Sequence, residues 1–134
     1  MISLSLETRD RVALIDVTAL VEKAVETSGL QEGAALVYCP HTTAGLTVNE
    51  HADPSVRRDI AMALERLVPS DLPFAHLEGN SDAHVKASLM GCSAMLPVEG
   101  GRLALGTWQG VYFAEFDGPR RRHLIVQPLG GARS

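Results

Sequence analysis

Apolar and polar side chains alternate along the start of the chain (Ile2-Ser3-Leu4-Ser5-Leu6-Glu7, then Val12 to Ile15). This predicts strands over 3–9 and 11–16 with a turn at Asp10. The period then lengthens. Leu20, Val21, Ala24 and Val25 fall on one face of a helix over 18–28, with Thr18 as its cap and Gly29 as a left-handed stop. Ala34 to Cys39 is an unbroken apolar run of strand length, the pattern of a strand covered on both faces, and 46–49 is its expected partner.

The best-marked helix starts at the cap Asp53 with Pro54 in its first position, and places Val56, Ile60, Ala63, Leu64 and Leu67 in one stripe before Pro69. A polar loop over 70–80 leads to a second helix, Ser81 to Met90, stopped by Gly91 and expected to pack through Val85, Ala87, Leu89 and Met90. The rest reads as strands over 92–98, 102–106, 107–116 and 121–128, with turns at Gly100-Gly101 and Asp117-Gly118-Pro119-Arg120. No repeat or linker interrupts the pattern. It predicts one α+β domain over 1–134, a mixed β-sheet with helices packed on it.

Composition narrows the function. With 134 residues, 46% of them apolar, the chain has material for one core. Six aromatic residues and a net charge of −4 argue against a nucleic-acid surface. The charge is uneven, −7 over residues 1–84 and +3 over 85–134, so a local basic patch near the C-terminus stays open. There is no basic start followed by an apolar run and no 18-residue apolar stretch, so a cytoplasmic protein without a membrane partner is expected. Cys39 and Cys92, both inside apolar segments, are expected as buried thiols.

Four of five histidines, His41, His51, His76 and His84, lie between 41 and 84 among Glu50, Asp53, Asp59, Glu78 and Asp82. Imidazoles with carboxylates are the usual donors for zinc and similar divalent ions, yet these spacings match no compact motif, so any site must be assembled in three dimensions. The competing reading is solvated loops with individually partnered histidines. His41 follows Pro40 at the mouth of a strand, where a side chain can point into a cleft. His84 shares a helix face with Ser81 and Ser88. His76 sits in a loop that can wrap a ligand. His51 reads as a rim residue, His123 as a surface group, and Trp108 as core or interface.

Among the carboxylates, Asp53 is explained as a cap, and Asp59 at the stripe's edge is expected to be partly buried. Glu115, an acid on an apolar strand face, is either structurally paired or set in a pocket. Arg120, Arg121 and Arg122 make either a solvated hairpin end or an oxyanion clamp, to which Thr42 and Thr43 would add hydroxyls.

Several segments together resemble the YjbQ family. They are His41-Thr42-Thr43-Ala44-Gly45-Leu46-Thr47-Val48-Asn49-Glu50 with Asp53-Pro54, His76-Leu77-Glu78-Gly79-Asn80, Ala83 to Gly91, Gly106-Thr107-Trp108-Gln109-Gly110, and Glu115 with the 117–120 turn. Gly45 and His51 depart from the family pattern. The resemblance covers about residues 3 to 130 and implies an α+β homotrimer with clefts at the subunit contacts. It also implies a site lined by His41, His76 and His84, where a divalent metal ion (Zn or Mg) would sit. The catalytic set it points to is His41, His84, Glu50, Asp59 and Glu115. Substrate would be held by Thr42, Asn49, Glu78, Asn80, Lys86, Ser88, Gln109 and Arg120. The implied activity is of thiamine-phosphate synthase type, joining an aminopyrimidine-methyl pyrophosphate to a thiazole phosphate with loss of pyrophosphate. The alternative is a non-enzymatic trimer that binds a metabolite or metal.

Overall fold

The computed structural model describes residues 1–130. Its elements run β1 (Ile2–Glu7), β2 (Ala13–Asp16), α1 (Thr18–Ser28), β3 (Glu32–Tyr38), β4 (Ala44–Glu50), α2 (Pro54–Leu67), α3 (Ser81–Met90), β5 (Ser93–Glu99), β6 (Arg102–Leu103), β7 (Gln109–Glu115) and β8 (Arg121–Gly130). The expected α+β class holds, but the mixed sheet does not. The strands form a five-stranded sheet, β1-β8-β3-β5-β6, and a three-stranded sheet, β2-β7-β4. Every pairing is antiparallel.

The expected pairing of 34–39 with 46–49 is also corrected. β3 pairs with β5 and β8, whereas β4 pairs with β7 in the other sheet. The five residues between β3 and β4 therefore carry the chain from one sheet to the other, and His41 lies in that crossing.

The core lies between the sheets, where Val37, Leu46, Val111, Phe113, Leu124 and Val126 pack with Val17, Val21 and Val25 of α1. A second cluster, Leu14, Ala83, Ala87, Tyr112, Ala114 and Phe116, lies beneath α3, with Ile60, Ala61 and Leu64 of α2 at its edge. The strand covered on both faces is thus β7: its alternate residues feed the two clusters, and Gly110 through Glu115 are all buried. β3 alternates instead, with Ala35 and Val37 inside and Tyr38 40% exposed. Continuous apolar character could not tell these strands apart, because the outward face of β3 is apolar too.

Helix ends follow their local signals. Asp53 Oδ1 accepts the N–H of Ser55 at 2.9 Å, and Gly29 ends α1 at φ 75°. The cap position of α1 is Val17, and the Asp16 carboxylate accepts from Thr18 N–H (3.0 Å) and Oγ1 (2.6 Å). Helix packing is less complete than the periodicity predicts. α2 has no buried residue, and Leu67 at the end of its stripe is 71% exposed. α3 faces inward with Asp82, Ala83, Lys86 and Ala87, and leaves Val85 and Leu89 outside. It lies so close to β4 that a Cβ on Gly45 would come within 2.5 Å of Gly91 O.

Candidate functional site

The crossing loop, α3, the 70–80 loop and the 117–120 turn converge on one cleft. One lobe, about 460 Å³, is lined by His41, Thr42, Thr43, His76, Glu78, Asn80, His84, Asp117, Arg120 and Arg122. A second, about 520 Å³, is lined by His41, Thr42, Ala44, His84, Ala87, Ser88, Gly91 and Cys92. His41, Thr42 and His84 belong to both. Three histidines distant in sequence thus meet at one solvent-reachable place, together with Thr42, Glu78, Asn80, Ser88 and Arg120. Cys92 is exposed, contrary to the expected burial, because it precedes β5 at the cleft mouth, while Cys39 is buried; both thiols are free.

His41 is fixed from behind. Its Nε2 accepts the backbone N–H of His123 at 2.9 Å, and its ring stands edge-on to Phe113 at 6.3 Å and stacks on His123 at 6.3 Å. Burial and the nearby Arg122 guanidinium push its pKa below the ordinary histidine value. His76 and His84 form a perpendicular pair with centroids 5.5 Å apart, and His76 Nε2 lies 3.7 Å from Glu78 Oε2.

A metal held by His41, His76 and His84 does not fit this arrangement. Nε2 of His41 is already a hydrogen-bond acceptor, and among the described residues no three His, Cys, Asp or Glu side chains are grouped to hold an ion.

Arg120 and Arg122 are both taken up by carboxylates. Arg120 donates to Asp117 O at 2.9 Å and to Asp117 Oδ2 at 3.0 Å, and the same Oδ2 accepts Asn80 Nδ2 at 2.9 Å. Asn80 Oδ1 is buried without a donor. Arg122 forms the cleft floor: its Nε donates to Glu115 Oε1 at 2.8 Å, its Nη2 to Glu115 Oε2, and Nη2 also to Thr43 Oγ1 at 2.9 Å. Glu115 also accepts from Thr8 Oγ1 (2.7 Å) and Asp117 N–H (3.1 Å). Burial alone would raise its pKa, but the hydrogen bonds from Arg122, Thr8 and Asp117 outweigh that and hold it below the usual carboxylate value. Glu115 therefore holds the floor together rather than acting as a catalytic group open to the cleft.

Four other expectations are corrected. Lys86 is fully buried against Asp82 (3.0 Å) and Glu65, so its ammonium does not reach the cleft. Asn49, Glu50 and Gln109 lie at the far end of the β4–β7 pair, in which Ala44 opposes Glu115 and Glu50 opposes Gln109. Six strand residues put Glu50 about 20 Å from the cleft end of β4. Each is used locally there: Asn49 Oδ1 accepts Glu50 N–H, Glu50 Oε2 accepts His51 and Ala52 N–H, and Gln109 Oε1 accepts Gly106 N–H. Asp59 is exposed on α2, because that helix turns only its Ile60 and Leu64 side inward. Trp108 is 64% exposed and belongs to no core cluster, which corrects the core alternative of its reading as core or interface.

His51 also sits at this far end and lines neither lobe of the cleft, so it is not a rim residue of the site; its Nδ1 lies 2.6 Å from Asp16 Oδ2. Sequence reasoning missed Arg11, and it named Arg122 and Asp82 without finding their buried partners. Two faint signals existed: Arg122 shares strand parity with Leu124 and Val126, and Asp82 stands four residues before Lys86.

The comparisons agree with this fold. The family model for UPF0047 protein YjbQ-like proteins matches residues 2–131. A UPF0047 protein of Methanocaldococcus jannaschii is 51% identical over 93% of this chain and 91% of its own length. The UPF0047 protein YugU of Bacillus subtilis is 47% identical over 96% and 98%. A crystal structure of an uncharacterised conserved yjbq/upf0047 protein from Clostridium acetobutylicum superposes with a TM-score of 0.93 at 54% identity, covering 95% of this chain and 98% of that one. None of these descriptions names a substrate. With this match over nearly its whole length, the chain belongs to the UPF0047 YjbQ-like family.

Proposed function

We propose that the cleft binds a small phosphorylated or heteroaromatic substrate and that its histidines serve as acid and base. The supporting observation is the meeting of His41, His76, His84 and Arg120 in one cleft. Neutral imidazoles exchange protons near neutral pH, and positioned acid–base groups contribute about 10²–10⁴-fold in rate.

For the thiamine-phosphate synthase type of reaction, the bond from the aminopyrimidine methylene to pyrophosphate oxygen breaks. The thiazole nitrogen forms the new C–N bond, and His84 protonates the departing pyrophosphate. His41, bonded through Nε2, offers Nδ1–H to an oxyanion. Binding without turnover is the second reading. It is favoured by one observation: Glu115 and Asp117 are paired with Arg122 and Arg120, so these charges shape the cleft instead of standing free for chemistry.

A homotrimer belongs to this proposal. Leu36 opposes Met95, and Tyr38 opposes Ile125, on the outer face of the five-stranded sheet, where Met95 is 58% exposed. Such a band calls for a protein partner.

The test supplies both synthase substrates and follows thiamine phosphate by chromatography, with His84→Ala alongside. Turnover that falls about 10²-fold or more in the variant carries the enzyme reading. Ligand binding without product carries the second reading, and neither binding nor product overturns both.

A further inference from the structure

We infer that Arg11 is a positioning residue that registers the two walls of the cleft against each other. One wall is α3 with His84; the other is the 117–120 turn with Arg120. They come from distant parts of the chain, and the segment joining β1 to β2 touches both.

The α3 side is unusual. At about 100° per residue, Asp82 and Lys86 share one edge of the helix and His84 lies opposite them. Ala83 and Ala87 are its only buried apolar residues, and they are too small to set a helix's rotation. Charge does that instead. Arg11 Nη2 donates to both Asp82 oxygens at 3.0 Å, and Asp82 Oδ2 also accepts Lys86 Nζ at 3.0 Å. Burial would raise the Asp82 pKa, but the hydrogen bonds from Lys86 and Arg11 hold it down, so the carboxylate stays charged and bound. Asp82 is buried and Arg11 half-exposed, and a charged hydrogen bond between them is directional where methyl packing is not.

The same segment grips the turn. The Arg11 carbonyl accepts Gly118 N–H at 3.1 Å, Thr8 N–H donates to Arg120 O at 2.9 Å, and Arg120 N–H donates to Thr8 Oγ1 at 3.0 Å. The walls then meet directly where Asn80 Nδ2 donates to Asp117 Oδ2. Arg11, Asp82, Asn80 and Asp117 close a ring around one end of the cleft. Removing the Arg11 side chain opens that ring and leaves the Asp82–Lys86 pair intact.

The consequence for binding rests on the reading of the cleft as a ligand site; the consequence for Asn80 does not. The test compares Arg11→Ala and Arg11→Lys with the unmodified chain. Circular dichroism reports folding, NMR hydrogen exchange reports the Asn80 side-chain amide, and calorimetry reports inorganic pyrophosphate affinity. In folded Arg11→Ala, Asn80 amide protection is lost and pyrophosphate binds about tenfold more weakly, the effect of displaced rather than deleted contacts. Arg11→Lys restores neither fully, because its shorter side chain does not carry the ammonium to the place where Nη2 meets both Asp82 oxygens. If Arg11→Ala fails to fold, Arg11→Lys decides by the same two readouts. Unchanged Asn80 protection overturns the inference, and so does lost protection with unchanged affinity. If the unmodified chain does not bind pyrophosphate, the ligand reading falls, and Asn80 protection alone decides the role of Arg11.

Discussion

The imidazole of His41 accepts, at Nε2, the backbone N–H of His123, 2.9 Å away on the neighbouring strand β8. A neutral ring with Nε2 as acceptor carries its proton on Nδ1, so the fold selects the tautomer before any ligand arrives. Nitrogen-15 NMR of the histidine side chains is expected to show His41 as the Nδ1–H form at pH 7. A shift pattern with the proton on Nε2 contradicts the hydrogen bond.

His41 also sets the first step of pH dependence. Its folded pKa lies below the ordinary value near 6.5, through burial first and Arg122 next. The unfolded chain therefore takes up the proton more readily. This contribution to stability is complete above the unfolded pKa and declines as pH falls through it. Denaturant unfolding at pH 7.5 and pH 5.5 should show lower stability at the acid value, and His41→Gln should reduce that difference.

The second step comes from carboxylates. Glu115 and Asp82 both titrate below their ordinary range because hydrogen bonds from cations outweigh burial. Their contributions are present above about pH 4.5 and are lost as pH falls further. Replacing Glu115 by Gln leaves Arg122 buried without its counter-charge, and breaking a buried pair in this way costs about 3–5 kcal/mol. A thermal midpoint within a few degrees of the parent would show that this pair does not hold the floor.

Gly45 is required by contact, not by backbone angle. A methyl group there would approach Gly91 O at 2.5 Å and Met90 Cβ at 3.2 Å, so α3 would be forced away from β4. Gly45→Ala should lose about 1–3 kcal/mol in denaturant titration, the range for overpacking, and His84 resonances should move with it. Unchanged stability would mean that α3 has room to retreat.

The outer apolar band offers a direct check on assembly. Light scattering of the intact protein should give three times the 14.3 kDa chain, and Met95→Glu, which places a charge among Leu36 and its neighbours, should reduce that mass. A parent that runs as a monomer removes the trimer from the proposal.

Much of the fold was legible along the chain because its signals are local. Asp53-Pro54 marks the start of α2, Gly29 and Gly91 mark helix ends, and alternation marks β1 and β8. The three histidines of the cleft were legible by type and by the elements that carry them. What periodicity could not convey was which apolar face is covered. β3 and β7 look alike in sequence, yet only β7 has a layer on each side.

The sequence by itself determined the helices, most strands and the α+β class, since each depends on residues within a turn or a strand of one another, whereas the grouping of His41, His76 and His84 was implied by the family resemblance. Tertiary structure alone decided that Glu115 and Lys86 are structural ions, that Asn49, Glu50 and Gln109 lie at the end of the β4–β7 pair away from the cleft, and that Arg11 faces Asp82. The physical reason is that ion pairing depends on distance through space. Arg11 and Asp82 are 71 residues apart, and no periodicity along the chain records their approach.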